Sequence, residues 1–393
     1  MELKSENLCL FVRMLGIYFL SLVLGAMNIG AIGSLLKIIG FIPIAIWLVE
    51  KRSIYKSKLL TFNLFITLWI VLSYFWSIDS GRTLQRTITQ CSFFLLLCSA
   101  ATYVYNVREL AYLKKCLIWS SRISAVCALI FADYHDGRLY LNGILTEDPN
   151  YLCAYFLFGI IFCLEVLLNE NETTKKKLLA IFEAYIYFYI IVATGSRGGA
   201  FAVIAACFVF YIYNQRGKNI SVKKFLTPVV IVLFLIVAYF VAIKFVPADI
   251  LQRFSIEELA ESNGTGRYII WEDALSTYFD AGSLRQLAGY GSATALTIAR
   301  KYSFRLINVF HNAFIENLLE IGFVGFALYI AYIFRFWNCA RKQKNIFAFS
   351  IMTGLIVLSF STSIAAFKPY WNVMIFIICA AYTDSADLEM RYV

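Results

Sequence analysis

His311 and the two acids that follow it, Glu316 and Glu320, are the side chains of this sequence best suited by type and spacing to move a proton. His311 lies where a long polar segment runs into an apolar stretch. An imidazole titrates near neutral pH, which suits a general base acting on a sugar hydroxyl. Asn312 and Glu316 are four residues apart and share a helical face, whereas His311 and Glu316, five apart, are only loosely aligned. A lone histidine here would read as an interfacial helix cap. Two acids within the next two turns of an apolar helix change that reading, because such acids are costly and normally face a polar cavity or a partner. The second histidine, His135, sits near Asp133, Asp136, Arg138 and Tyr151. It is the alternative base, on a face that could line an acceptor site.

Three arginine motifs point to an anion. Thr194-Gly195-Ser196-Arg197-Gly198-Gly199 is a short turn between two apolar runs. Its glycines bring backbone close to whatever Arg197 holds, Ser196 adds a hydroxyl, and the N–H groups of a following helix favour negative charge. The alternative is a tight turn with a snorkelling arginine. In Asn263-Gly264-Thr265-Gly266-Arg267, Thr265 could cap a helix carrying Arg267 in its first turn. A cation there opposes the helix dipole unless an anion is bound. Arg82 and Arg86 are four apart and repel each other on one helix face unless they share an anion. The alternative is a helix end that meets anionic lipid heads. Glu147-Asp148-Pro149-Asn150 reads first as a helix start, with Asp148 at the cap and Pro149 at the first helical position. Asp148 and Asn150 are retained as supporting groups.

The elements that must position these residues are membrane helices. The chain has 393 residues, 61% hydrophobic and 15% charged, with 35 Phe, 25 Tyr and 7 Trp. Soluble domains are about 25% charged, so this is not a soluble enzyme. A net charge of +10 does not make it a nucleic-acid-binding module. Apolar runs of near-span length predict an all-α polytopic protein with twelve helices at about 8–27, 30–49, 59–76, 88–105, 117–133, 150–168, 178–194, 199–213, 225–246, 309–334, 346–366 and 370–384. The run at 199–213 is short enough to be partly re-entrant. Three sections follow: spans one to nine over 1–246, an extracytoplasmic lid over 247–308, and spans ten to twelve over 309–393.

Alternate loops differ sharply in charge. One set carries 17 Lys and Arg, and the short loops of the other carry 5. The bias puts the first set, and both termini, in the cytoplasm. The kind of cation differs too: 13 Lys and 4 Arg inside, against 9 Arg and 2 Lys outside once the long loop is counted. Topology needs only positive charge. A preference for the planar guanidinium suggests bidentate binding of phosphate or carboxylate, small-number chance being the alternative. The ten cysteines lie in or beside apolar runs without ligand spacing, so neither a metal site nor a cofactor is expected. No cleavable signal peptide is expected either. Within the lid, helix-like stretches at 256–262, 266–279 and 293–302 are separated by glycines, which suggests a folded cap. It contains no cysteine, so packing must hold it.

These motifs, in this order, resemble the O-antigen ligase / O-antigen polymerase family of bacterial envelopes. The resemblance rests on Gly266-Arg267 with Trp271, then Gly289-Tyr290-Gly291, then His311-Asn312 through Glu320-Ile321-Gly322 to Gly325. Upstream, Asp148-Pro149-Asn150 with Ala154 and Ser196-Arg197-Gly198-Gly199 match as well. The likeness covers roughly residues 130–330. The first four spans match in topology only, so Arg82 and Arg86 rest on charge alone.

The resemblance implies a GT-C-like, metal-independent, inverting membrane glycosyltransferase of the cytoplasmic (inner) membrane with its site on the outer face. Its donor would be a glycan on undecaprenyl diphosphate and its acceptor a second lipid-linked glycan. His311 would activate the acceptor hydroxyl, while Arg197 and Arg267 hold the diphosphate. A repeat-unit polymerase is expected on base rates, with a flippase and a chain-length regulator as further partners. A ligase acting on lipid A–core or another terminal acceptor is the alternative within the family. A lipid-linked oligosaccharide flippase or permease is the alternative outside it, but it would call for a pseudo-repeat that the sequence lacks.

Overall fold

The computed structural model describes residues 8–22, 38–55, 57–135, 138–141, 149–216, 266–307, 309–363 and 367–383. The predicted span at 225–246, part of the run at 30–49, the first part of the lid, Asp136 and Asp148 lie outside the described residues.

Within them the chain forms fourteen α-helices and one two-stranded ribbon. Leading the bundle are α1 (Leu10–Leu20), α2 (Phe41–Glu50), α3 (Lys58–Leu72), α4 (Ser80–Ala100) and α5 (Val107–Phe131). The ribbon β1 (Ala132–His135) and β2 (Arg138–Leu141) follows, antiparallel, with His135 opposite Arg138. Then come α6 (Pro149–Leu168), α7 (Thr174–Ala193) and α8 (Arg197–Gln215). A cap of three short helices, α9 (Arg267–Phe279), α10 (Ser283–Ala288) and α11 (Ala295–Lys301), precedes α12 (Ala313–Lys342), α13 (Ile346–Leu358) and α14 (Lys368–Ala381). The ribbon was not expected; it overlaps the predicted span at 117–133 only at Ala132 and Asp133 and otherwise lies beyond it, where strand pairing is permitted.

Four segments are long and apolar enough to cross a bilayer: Lys58–Trp76, Pro149–Leu168, Arg197–Gln215 and Ala313–Lys342. Four shorter helices are apolar as well. The run expected to be partly re-entrant is instead one continuous helix of 19 residues, because Ser196 caps it and its glycines fall in the first turn, where they allow close packing. The run predicted at 346–366 breaks after Leu358 into the polar turn Ser359–Ser363, and α12 extends eight residues past its predicted end at 334.

Local sequence explains several ends. Asn106 and Glu109 form a reciprocal capping box at the start of α5. Ser57, Thr173 and Asn345 cap α3, α7 and α13. The bundle encloses one large apolar core. Two ion pairs tie it laterally: Arg122 binds Glu183 through two hydrogen bonds of 2.9 and 3.0 Å, and Lys114 binds Glu165.

The cap has its own core, built from Ile270, Tyr278, Tyr290, Ile298, Phe304 and Phe310 together with Leu319 of α12. Packing therefore joins it to the bundle. The joint is a break in α12. Gly322 has φ +66° and ψ −177°, inside an otherwise helical segment. The break frees carbonyls that a straight helix would use internally. Tyr290 N–H donates to the Leu319 carbonyl at 3.2 Å and Gly291 N–H to the Glu320 carbonyl at 2.8 Å. The Trp69 indole donates to the Ile321 carbonyl at 2.8 Å. Gly289 and Gly322 touch backbone to backbone: a Cβ on Gly322 would lie 2.5 Å from the Gly289 nitrogen.

A second tether joins α4 to the cap. The Asp79 carboxylate accepts from Arg82 N–H at 3.1 Å and from the Thr297 hydroxyl at 2.8 Å. The Arg82 backbone bond and then the Thr297 bond hold its pKa below the usual carboxylate value. A depressed folded-state pKa contributes stability above the unfolded value of about 3.9, which is lost as pH falls through the folded value. Amide protection over 291–302, taken relative to the intrinsic exchange rate at each pH, should therefore fall as the pH drops from about 5 toward 3, and Asp79→Asn should flatten that dependence. Gly322→Ala should cost about 2–4 kcal/mol, read as a lowered melting temperature in detergent, since it adds both left-handed strain and a backbone clash.

Candidate active site

Four chain segments meet at the start of α12, and they carry most of the residues singled out from sequence. The segment Ser359–Ser363 lies at their centre. Ala313 N–H, at the start of α12, donates to the carbonyls of Ser359 at 2.9 Å and Thr362 at 3.1 Å. Gly198, in the first turn of α8, packs on the Ser361 side chain with no room for a Cβ. The Tyr151 hydroxyl, at the start of α6, donates to the Ser363 carbonyl at 3.0 Å. The Ser363 hydroxyl donates to the Glu316 carboxylate. The His311 turn, the Arg197 turn and the α6 start are thus held on one short polar stretch.

His311 is half-buried and adopts φ +50°, a left-handed conformation uncommon for a residue with a side chain. Such strain persists only where surroundings fix it, and it concentrates at functional positions. Here it is fixed from both sides. The next residue, Asn312, caps α12, its side-chain oxygen accepting from Phe314 N–H at 3.0 Å and Ile315 N–H at 3.2 Å. The preceding Phe310 carbonyl accepts from the Trp271 indole at 2.7 Å. Trp271 is one helical turn beyond Arg267, so the same bond brings the start of α9 to the His311 turn. Arg267 is half-buried at the first position of α9, after Gly266 at φ +77°.

The two acids have different surroundings. Glu320 is buried, and its carboxylate accepts from Ala293 N–H and Ala295 N–H, both at 2.8 Å. It serves the cap loop. Glu316 is half-buried, bonded by Ser363, and lies within the electrostatic reach of both Arg86 and His311. The Arg86 field also reaches Glu320 and Tyr329. Arg86 is half-buried on α4 and faces α12, whereas Arg82, one turn earlier, is exposed and pairs with Asp79.

At the third motif, Gly195 has φ +61° and turns the chain into α8. Ser196 caps that helix by accepting from Gly199 N–H at 2.9 Å, and its hydroxyl donates to the Asn150 side-chain oxygen. Asn150 is buried and ties α6 to α8. Arg197 occupies the first position of α8 and is half-buried. Arg138 donates to the Thr194 carbonyl at 2.9 Å, which fixes the same turn from the ribbon. His135 is in β1, and Asp148 falls outside the described residues.

Sequence reasoning missed Ser363, Trp69 and Trp76. Ser363 had a signal, since Ser359–Ser363 is a polar interruption in an apolar run. The indole of Trp76 donates to the Ala288 carbonyl at 3.0 Å and Trp69 to Ile321, across more than 200 residues of sequence, and no local pattern marks such bonds. Arg285 and Arg305 also prove to be cap residues. Arg285 donates to the carbonyls of Trp76 and Gly289 at 2.9 and 3.1 Å. Arg305 binds Asp273 and Glu272, and these partners raise its pKa further. Among the described residues no three metal-ligating side chains gather.

Residues 184–330 match the family model described as O-Antigen ligase. The match spans Arg197, Arg267, His311, Glu316 and Glu320, and the likeness to the O-antigen ligase / polymerase family read from the motifs holds over that stretch. Together with the long apolar helices it identifies a membrane protein whose matched family consists of glycosyltransferase-type enzymes. No curated protein matches the chain.

The two acids should separate experimentally. Glu320→Ala leaves one buried and one half-buried N–H group without an acceptor and should cost about 3 kcal/mol, lowering the melting temperature. Glu316→Gln keeps an acceptor for Ser363 and should leave that temperature nearly unchanged.

Proposed function

We propose that the chain is a membrane glycosyltransferase that polymerises undecaprenyl-diphosphate-linked oligosaccharide repeat units. It works at the extracytoplasmic face of the bacterial cytoplasmic membrane, with both termini inside. The observation that carries this reading is the convergence of the His311 turn, Glu316, Arg86 and the Arg197 turn around Ser359–Ser363, with Arg267 brought alongside through Trp271.

In this reaction His311 takes the proton from an acceptor hydroxyl as its oxygen attacks the anomeric carbon of the donor glycan. The bond between that carbon and the diphosphate oxygen breaks from the opposite side, so the configuration inverts. The lipid diphosphate leaves with the electron pair. Arg197 and Arg267, supported by Arg82 and Arg86, neutralise its charge. Fixed guanidinium and N–H donors suffice for a leaving group that arrives already charged, so the mechanism asks for no metal or cofactor. Glu316 holds the imidazole and Arg86 in register. Glu320, Asn312, Ser196 and Asn150 support the framework, and Asp148 is the remaining candidate on the acceptor side. A flippase and a chain-length regulator are the proposed partners.

A second reading follows from the description of the matched family, O-antigen ligase: the same chemistry with lipid A–core or another terminal acceptor. Purified protein in liposomes, given lipid-linked repeat units alone, should produce a ladder of chain lengths. A single transfer seen only when lipid A–core is added would select the ligase. His311→Ala should lower the rate by about 10²–10⁴-fold while leaving the melting temperature in place. A ladder that persists at full rate in that variant would overturn the role of His311. Arg197→Lys should fall well short of restoring the rate lost in Arg197→Ala if bidentate phosphate binding is what matters.

A further inference from the structure

Three polar side chains form a ladder inside the apolar bundle, between α3 and α4. Gln90 is 3% exposed, and Thr67 and Asn63 are buried as well. The Gln90 amide donates to the Thr67 hydroxyl at 3.1 Å, and that hydroxyl donates to the Asn63 side-chain oxygen at 3.5 Å. Bonds of this kind commonly act as glue between membrane helices. Their position here gives them a second task. Arg86 stands one turn before Gln90 on α4, about 40° away around the helix axis. Three residues before Arg86, Thr83 is buried and donates to the Ser292 carbonyl of the cap at 2.8 Å. Arg86 thus lies between two polar pins on α4. Leu84, Ile88 and Leu95 occupy the other side of the helix and are 40–57% exposed.

Apolar contacts alone set the rotation of such a helix poorly, because leucine and phenylalanine fit lipid as well as they fit the bundle. Phe93 stacks on Trp371 of α14 at 4.5 Å and holds the lower half of α4 close, but without a polar direction. Gln90 differs, since turning it outward would put an amide into hydrocarbon without a partner. Its acceptor is also well anchored. Thr67 is two residues from Trp69, whose indole binds the Ile321 carbonyl at the α12 break, and α3 packs along α12. The bond therefore sets α4 against the helix that carries Glu316. We propose that Gln90 is a positioning residue for the transfer reaction: its bond to Thr67 fixes the rotation of α4 that keeps Arg86 facing Glu316. The inference rests on the glycosyl-transfer reading above and adds to it a residue one turn deeper in the bundle.

The test uses the full chain in liposomes with lipid-linked repeat units. The variants are Gln90→Leu and the double substitution Thr67→Val with Gln90→Leu, each with and without Arg86→Ala. Leucine and valine suit a buried apolar layer, so removing both partners should leave the melting temperature within a few degrees. In Gln90→Leu, kcat should fall about fivefold while KM for the lipid-linked donor stays within about twofold, since Arg197 and Arg267 hold the diphosphate. In the Arg86→Ala background the same substitutions should change kcat no further, because the pin then has no guanidinium to hold in place. Unchanged kcat in Gln90→Leu would overturn the proposal. So would a loss of equal size with and without Arg86, which would mark the ladder as helix glue alone. A kcat that ignores Arg86→Ala but is lost in His311→Ala would overturn it too, while leaving the transferase reading standing. Failure of the unsubstituted protein to transfer glycan to any acceptor would remove that reading together with this proposal.

Discussion

The break in α12 at Gly322 is the constraint on which the rest of the described cap depends. An uninterrupted helix would keep the carbonyls of Leu319, Glu320 and Ile321 for its own ladder. With the ladder broken they accept from Tyr290, Gly291 and the Trp69 indole. The traffic also runs the other way, since the Glu320 carboxylate takes the N–H groups of Ala293 and Ala295. Loop and helix therefore satisfy each other's orphaned backbone groups. Neither contact tolerates a Cβ at Gly289 or Gly322. Unpaired backbone polar groups at the edge of an apolar bundle would be expensive, so the joint is enforced as well as filled. Through it the cap core is seated on α12, α9 is held beside the bundle, and Trp271 reaches the carbonyl that precedes His311.

That arrangement divides labour among residues of one type. Glu316 and Glu320 sit one turn apart on the same helix, yet one carboxylate is consumed by backbone amides and the other stands among side chains that can change charge or move. The arginines divide similarly. Arg285 and Arg138 bind protein carbonyls, Arg305 binds two acids within the cap, and Arg82 pairs with Asp79. A guanidinium presents several donors in a plane. It is therefore as useful for collecting loop carbonyls as for gripping phosphate, and an excess of arginine at one end of the bundle has two sources.

How much of this could be read from sequence varies with the range of the interaction. Helices over most of the predicted spans were legible because apolar runs of that length have few other uses. The start of α9 and the helix at 295–301 were legible from glycine punctuation. Asn312 and Glu316 were expected on one helical face from their spacing, but Asn312 precedes the helix as its cap. The role of the Gly289-Tyr290-Gly291 and Glu320-Ile321-Gly322 patterns could not be read, because each pattern is half of a contact made some thirty residues away. Reading Glu320 as a site residue was reasonable for an acid in an apolar helix, but its partners are backbone N–H groups, which carry no sequence label. The break after Leu358 was visible in principle as Ser359–Ser363, a polar pentad with one phenylalanine, but length alone favoured extending the helix through it.

The proposed chemistry asks for a base whose charge changes during reaction, next to groups whose charge does not. An imidazole that takes a proton becomes cationic, and a neighbouring carboxylate stabilises that form without itself being protonated. The proposed reaction assigns this part to Glu316, whose carboxylate accepts from the Ser363 hydroxyl. Arg86 then matters in two ways. It places a positive charge within reach of the Glu316 carboxylate, and in the proposed reaction it contributes positive potential where a diphosphate would lie. The two demands conflict if Arg86 must serve the leaving group directly, because a guanidinium held by a carboxylate offers less to an incoming anion. The proposed assignment meets both demands by distributing the cations. Arg197 and Arg267 each begin a helix, where N–H groups add to the same field, while Arg86 lies in the second turn of α4 against α12. In the proposed reaction a diphosphate gripped chiefly at the helix starts lets Arg86 and Glu316 act mainly on the base, so donor binding and proton removal are set largely by different residues.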